Sequence, residues 1–174
     1  MSSRVDWRGP LRALERIVRD RVRYRDRPRL LAEDASHPTD RGVDYAGCPR
    51  MRFAERGPGG YASGEVVWTW VAYEEDRRQG KDRPVLLIGS AQGWLLGLPA
   101  TSKDHDRDAA QEARAGRYWF DIGRGDWDSR GRESEVRVDR IVRIEPGKVR
   151  RAAGQVSAKV FDRVAAEVRR RRGQ

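Results

Sequence analysis

Residues 134–144 contain an acid and an arginine at a spacing that could support phosphate chemistry. In the sequence SEVRVDRIVRI, Arg137 and Asp139 are separated by one residue, and alternate residues of a strand point to the same face. A carboxylate in this position can accept a proton while the neighbouring guanidinium holds a phosphate. The same pattern is typical of an ordinary ion pair on a solvated strand, so the sequence leaves both interpretations open.

A second charged stretch leads directly into an apolar run. The sequence RRQGKDRPVLLIG, residues 77–89, places Arg83 immediately before Pro84. Proline lacks a backbone N–H and biases the preceding residue towards an extended conformation, so it suits the first position of a strand better than the middle. We therefore expect Arg83 to lie at the start of a strand.

Adjacent hydroxyl groups mark a third stretch, LPATSKDHD. Thr101 and Ser102 follow an apolar run and could donate to phosphate oxygens, although such hydroxyls more often cap a turn. His105 lies close to Thr101 in the sequence and is therefore a candidate for proton transfer. The acids around it do not indicate a metal site, because the stretch has one imidazole and no second group of ligands follows at a suitable spacing.

The elements that must position these residues are mostly strands. Short runs rich in Val, Ile, Leu and aromatic residues alternate with Gly and charged turns, which predicts a mainly β (α+β) fold arranged as a small barrel. Trp68 and Trp70 would share a strand face, and we expect them in the core rather than on a base-stacking surface. The predicted strands lie within residues 64–73, 83–89, 93–102, 117–123 and 134–144.

The segments outside these strands are predicted to be helical or irregular. Residues 157–172 predict a C-terminal helix, with Ser157 as N-cap and an apolar stripe from Val160 to Val168 that would pack on the barrel. Residues 103–116 are predicted to form an exposed loop that could include one helical turn. At the N-terminus, residues 10–25 predict a basic amphipathic helix, and residues 27–60 a linker. The domain prediction is therefore residues 1–60 as helix and linker, and residues 61–174 as the β-rich domain.

The formal net charge of +10 is concentrated near the two ends of the chain. Such a charge favours nucleic acid, acidic proteins or anionic membranes as partners without choosing among them. The single cysteine, Cys48, excludes an internal disulfide framework and fits a reducing compartment. No apolar run approaches the ~20 residues of a membrane span, so we expect a soluble, cytoplasmic protein.

Four short motifs, taken in order, resemble the PemK/MazF family of bacterial toxin endoribonucleases. They are GEVVW at 64–68, QGKDRPVLL at 79–87, the hydroxyl pair Thr101 and Ser102, and VRVDRIVRIEP at 136–146. The resemblance spans residues 63–168. It implies an SH3-like small β-barrel with a C-terminal helix, to which this chain adds an N-terminal helical extension.

The resemblance also implies a reaction, the cleavage of single-stranded RNA by attack of the ribose 2′-OH on the adjacent phosphate. The products would be a cyclic phosphate and a free 5′-OH, and no metal or other cofactor would be needed. Asp139 would be the general base, Arg83 and Arg137 would stabilise charge on the phosphate, and Thr101 or Ser102 would contact a phosphate oxygen. Further RNA contacts would come from Gln79, Lys81, Lys103, His105 and Arg143.

The family precedent implies a homodimer controlled by a cognate antitoxin, whose acidic or disordered segment would cover the RNA groove. Two alternatives remain. One is a noncatalytic SH3-like barrel that binds nucleic acid or protein and keeps the Arg and Asp residues as an ion-pair network. The other is a gyrase poison of the CcdB type, which shares the fold. A nuclease requires Arg83, Thr101, Arg137 and Asp139 to converge in one open groove.

Overall fold

The computed structural model describes residues 44–103 and 109–173. The predicted N-terminal helix and His105 lie outside these ranges. Within them the chain forms seven strands, two α-helices and two 3-10 turns. The strands are β1 Glu65–Ala72, β2 Gly80–Ala91, β3 Trp94–Thr101, β4 Trp119–Gly123, β5 Ser134–Arg137, β6 Val142–Ile144 and β7 Arg151–Gln155. The helices are α1 Ala109–Arg114 and α2 Ala158–Arg171, and the turns are Pro58–Gly60 and Pro146–Lys148.

The described strands form one antiparallel sheet whose centre is β3. The strand order is β4-β5-β3-β2-β1-β7, and β6 also pairs with β3. One side of β3 pairs with β2, while the other pairs with β6 at Leu95–Gly97 and with β5 at Ala100–Thr101. The outermost strands β4 and β7 do not pair with each other in the described chain, so the sheet is open. The mainly β fold with a C-terminal helix is confirmed, but closure into an SH3-like barrel is not.

The predicted strand over residues 134–144 is interrupted in the structure. The chain bends at Val138 and Asp139 and resumes as β6. Val138 and Ile141 are both fully buried in one apolar cluster, whereas residues three apart in a continuous strand would face opposite sides. The bend therefore lets both side chains reach the same core. Strand β7 was not predicted, because its residues RAAGQ carry little apolar signal, whereas the short helix α1 lies in the predicted loop, where the sequence allows one helical turn.

Arg83 lies inside β2 rather than at its start. Strand β2 begins at Gly80 and pairs with β1 from there onwards, whereas β3 opposes β2 only from Val85. Pro84 thus lies where β2 has a partner on one side only, and a residue without an N–H is tolerated on such an edge. The prediction failed because the strand extends past the proline into the charged turn.

Two apolar clusters lie on opposite faces of the sheet. The larger contains residues from most strands and the predicted stripe of α2, whose N-cap is Ser157 as expected, with its Oγ accepting from the Val160 N–H at 3.3 Å. The smaller includes Val67 and Leu87. Trp68 packs against the larger cluster, but Trp70 is 45% exposed, because it lies on the two-stranded part of the sheet. In the described chain, no helix is long and apolar enough to span a membrane.

Residues 44–54, here called the strap, pack against the larger cluster. Met51 is 6% exposed and belongs to the core. The ring of Phe53 lies 5.7 Å from that of Phe161 in α2. The end of the predicted linker is therefore a docked segment, while the domain boundary at residue 61 stays a prediction.

Candidate active site

Three of the predicted catalytic residues lie on one face of the sheet. The β2–β3 register pairs Val85 with Pro99, and these are two residues from Arg83 and Thr101 respectively. The β3–β5 register pairs Thr101 with the residue two before Arg137. Because alternate residues share a face, Arg83, Thr101 and Arg137 are on the same side although they come from three different strands.

A cavity of about 210 Å³ lies beside two of these residues, Arg83 and Thr101. Its wall also includes Ser102 and the exposed Lys81. Neither Arg137 nor Asp139 lines it. The structure therefore brings part of the predicted set to one cavity and leaves the Arg137–Asp139 pair outside its wall.

Arg83 is partly buried and has unused hydrogen-bonding capacity. Burial lowers the pKa of its guanidinium, Tyr73 acts in the opposite direction, and the like charges of Arg140 and Arg137 lower it further. Its Nε is buried without a hydrogen-bond partner within residues 44–103 and 109–173. A partly desolvated guanidinium with a spare donor is well suited to an anionic ligand such as phosphate.

Arg137 is held by two carboxylates and is only 7% exposed. Its Nε donates to both Asp139 oxygens at 3.0 and 3.1 Å, and Nη2 makes a further short contact to Asp139. Nη1 and Nη2 donate to Glu74 at 3.1 Å each. Burial opposes the charge of Arg137, but these hydrogen bonds to Asp139 and Glu74 outweigh it and raise its pKa. Asp139 also accepts from the Tyr118 N–H at 2.8 Å. Arg137 and Asp139 thus form the ion pair that the sequence left open.

The ion-pair network extends to two residues that the sequence analysis did not select, Glu74 and Arg140. Arg140 donates to Asp44 through Nε at 2.9 Å and to the Ala72 carbonyl through Nη2 at 2.9 Å, and its Nε lies 3.8 Å from Glu74. In an unbroken strand the adjacent residues Asp139 and Arg140 would point to opposite faces, but the bend removes that constraint. Glu74 could have been selected from its position, because it comes just after β1 and begins the turn that leads to Arg83.

The hydroxyl pair at the end of β3 is engaged locally. Thr101 Oγ1 accepts from the Lys103 N–H at 3.1 Å, which is the turn-capping role common for such residues. Asp128 hydrogen-bonds to Arg132 and to Ser102, and these bonds lower the pKa of its carboxyl group. The bond to Thr101 uses an acceptor lone pair, so the Thr101 hydroxyl proton can still donate to a ligand.

The predicted RNA-contacting residues are divided between the cavity and other places. Lys81 lines the cavity, and Lys103 is exposed beside Ser102. Gln79 is exposed in the turn before β2, where its Nε2 donates to Asp76 at 3.0 Å. His105 lies outside the described residues.

Arg143 is not near the cavity. The β3–β6 register pairs it with Leu96, near the beginning of β3, whereas Thr101 is at the end of that strand. Its guanidinium carbon lies 5.6 Å from the centroid of the Tyr45 ring. The structure therefore separates Arg143 from Arg83 and Thr101.

The loop between β4 and β5, residues 124–133, supplies cavity residues that the sequence did not reveal. Trp127, Asp128 and Arg132 all line the cavity, together with Trp68 from β1. The indole Nε1 atoms of Trp68 and Trp127 are buried without hydrogen-bond partners in the described chain. A polar loop of this kind has no local pattern that indicates which strand end it will cover.

Comparison with known proteins gives a family match and distant structural matches. The profile described as "PemK-like, MazF-like toxin of type II toxin-antitoxin system" matches residues 62–171. The crystal structure of MazF (Form-I) from Deinococcus radiodurans is 18% identical, with a TM-score of 0.47, covering 72% of this chain and 99% of that one. The MazE-MazF (Form-II) structure from the same organism is 19% identical, with a TM-score of 0.40, covering 70% and 95%. No curated protein matches significantly.

Proposed function

Because this chain belongs to the family of PemK-like, MazF-like toxins of type II toxin-antitoxin systems, we propose that it is an endoribonuclease that cleaves single-stranded RNA. The ribose 2′-OH attacks the adjacent phosphate, and the products are a cyclic phosphate and a free 5′-OH. Since the nucleophile belongs to the substrate, the protein must position the RNA, transfer protons and stabilise charge. The observation that carries the proposal is Arg83, with its spare donor, beside a cavity lined by Lys81 and Thr101.

Arg83 and Lys81 are the proposed ligands of the scissile phosphate. The guanidinium of Arg83 is partly desolvated, so its interaction with an anion is less screened than that of a surface arginine. Thr101 and Ser102 provide hydroxyl donors from the end of β3. Lys103 and Gln79 lie on exposed turns beside this region and are proposed to contact the RNA backbone.

Arg137 is proposed to support the site rather than to bind the phosphate. Its donors are already directed at Asp139 and Glu74, so it fixes these two carboxylates and adds positive potential near Arg83. Asp139 remains our proposed general base: it does not line the cavity, but its partner Arg137 lies on the same sheet face as Arg83 and Thr101. Glu74 is a second carboxylate on the same guanidinium, and its side chain is 38% exposed against 17% for Asp139, so the test below includes both.

The partners follow from the same arrangement. We propose that a cognate antitoxin covers the cavity with an acidic segment, because three cationic residues, Lys81, Arg83 and Arg132, line it against two acids, Asp82 and Asp128, and oppositely charged surfaces attract. Trp70, exposed on the same sheet face as Trp68, provides a surface on which an unpaired base can stack. We further propose that the toxin acts as a homodimer in the cytoplasm, where its RNA substrates are found.

The test is cleavage of a long single-stranded RNA, in EDTA, by wild type and by Arg83→Ala, Asp139→Asn and Glu74→Gln, with chemical analysis of the ends. Wild type should make site-specific cuts that leave cyclic phosphates. Arg83→Ala should lower kcat by about 10²- to 10³-fold, the usual loss when one stabilising donor is removed. The carboxylate whose neutral variant loses a comparable factor is the base. Lys159→Ala, which removes an exposed positive charge from α2, is the matched control and should cleave like wild type.

The absence of cutting by well-folded wild-type protein would contradict the nuclease and favour the noncatalytic binding module, and RNA affinity measured on the same variants would then show whether the cavity binds RNA. Cutting that continues unchanged in Arg83→Ala would contradict the proposed role of Arg83.

A further inference from the structure

The strap supplies a carboxylate to the ion-pair network of the candidate site. Asp44 accepts from Arg140 at two points, from Nε at 2.9 Å and from Nη2 at 3.3 Å. A two-point contact of this kind fixes the plane of a guanidinium as well as its position. Asp44 lies outside residues 62–171, the part of the chain that matches the family.

Arg140 connects this carboxylate to Glu74 and, through Glu74, to Arg137. Its Nη2 donates to the Ala72 carbonyl at the end of β1, and its Nε lies 3.8 Å from Glu74. Glu74 in turn accepts two hydrogen bonds from Arg137. The charge of Arg140 also acts on Arg83, whose guanidinium pKa it lowers after the larger effect of burial. The network thus runs from the strap to both arginines of the site.

The strap is fixed in the place where it can do this. The Tyr45 N–H donates to the Ile141 carbonyl at 2.7 Å. Arg172, which follows α2, donates to the Ala46 carbonyl at 2.9 Å and to the Asp139 carbonyl at 3.2 Å. One arginine therefore holds both the strap and the backbone of the proposed base.

We propose that Asp44 is a positioning residue of the candidate site. It holds Arg140 and, through Glu74, keeps the Arg137–Asp139 pair in the arrangement that RNA cleavage requires. This inference rests on the proposed nuclease function. It assigns the strap a role in positioning the site residues.

The positioning step can be tested without measuring cleavage. The side-chain Nε–H signals of arginines are followed by ¹H–¹⁵N NMR in the full chain, in wild type, Asp44→Asn and Glu55→Gln. Glu55 is exposed directly after the strap, so its variant loses the same charge without touching Arg140. We expect slow exchange for Arg137 and Arg140 in wild type and Glu55→Gln, and faster Arg140 exchange with a shifted Arg137 signal in Asp44→Asn. An unchanged Arg137 signal in Asp44→Asn would refute the coupling.

The catalytic consequence is tested by a double-mutant cycle on the full chain. Asp44→Asn should lower kcat about tenfold with little change in KM, and it should have no further effect once Arg140→Gln is present, because the two changes break one contact. Additive losses, or a kcat equal to that of wild type, would overturn the proposal. If wild type does not cleave RNA, the nuclease proposal falls, and the NMR comparison alone still decides whether Asp44 positions the network.

Discussion

Arg83 and Arg137 carry the same group on the same face of the sheet, but their surroundings differ. Arg137 is almost completely covered and satisfied by Asp139 and Glu74. Arg83 has a buried Nε without a partner in the described chain. A guanidinium that already serves two carboxylates has little left to offer a phosphate, whereas Arg83 can bind one without first breaking an ion pair.

This contrast predicts that replacing the two arginines will affect stability by different amounts. Arg137→Ala leaves Asp139 and Glu74 without their shared cation and should lower the free energy of unfolding by about 3 kcal/mol, the low end for a broken buried pair because Glu74 is partly solvated. Arg83→Ala removes an unsatisfied donor and should change stability by less than about 1 kcal/mol. Urea unfolding of both variants measures the difference. If both variants lost the same free energy of unfolding, the two arginines would contribute equally to stability in solution, contrary to this prediction.

At the scale of elements, the β4–β5 loop combines an apolar anchor with polar bonds. Trp127 is 4% exposed and belongs to the larger core cluster. The neighbouring Asp128 accepts from Arg132 Nη2 at 2.8 Å and from the Arg130 N–H at 2.8 Å. The carboxylate therefore holds the loop in the shape that brings Trp127 to the cavity.

The order of this loop should depend on pH. The pKa of Asp128 is lowered, first by Arg132 and then by Ser102, so the folded value lies below the unfolded value of about 3.9. The stabilisation is fully present above pH ~4 and is lost as the pH falls through the folded pKa. The protection of the loop amides against exchange, corrected for the intrinsic pH dependence of exchange, should fall in that acid range, and in Asp128→Asn it should already be low at neutral pH. The control is Asp162→Asn, which changes an exposed acid on α2. If the loop of Asp128→Asn exchanged like that of wild type, the proposed role of Asp128 in holding the loop would be wrong.

The elements differ in how far the sequence predicts them. Strands β1 and β3 and helix α2 have strong apolar periodicity and the Ser157 cap, and the structure confirms them. The interruption after Arg137 was not predictable, because VRVDRIVRI has the local pattern of a single strand. What breaks it is the need to bury Val138 and Ile141 in the same cluster, which is a property of the whole core.

The candidate site shows the same division. Arg83, Thr101 and Ser102 could be selected from the sequence because each belongs to a short motif at a strand. The contacts of Glu74 with Arg137 and of Asp44 with Arg140 join residues far apart in the chain. Such pairs depend on how strands and strap are packed together, and the local sequence carries no sign of them.

On the scale of the whole described domain, the strap packs on the core through Met51 and on α2 through Phe53. Met51→Ala should lower the free energy of unfolding by about 2–3 kcal/mol, since it removes a buried side chain and leaves a cavity. Arg52→Ala, an exposed change at the next position, should stay within about 0.5 kcal/mol of wild type. Denaturant unfolding of the two variants makes the comparison. A neutral Met51→Ala would mean that the strap does not pack on the core in solution.

The buried donors around the cavity imply a conflict between heat resistance and activity. Arg83, Trp68 and Trp127 all line one cavity, and the Arg83 Nε and the two indole N–H groups lack hydrogen-bond partners among the described residues. Each indole N–H without a partner costs about 1–3 kcal/mol in the folded protein. A laboratory selection for thermostability alone should therefore accept phenylalanine at the two tryptophan positions. The more thermostable variants would then be those that bind a polar ligand least well.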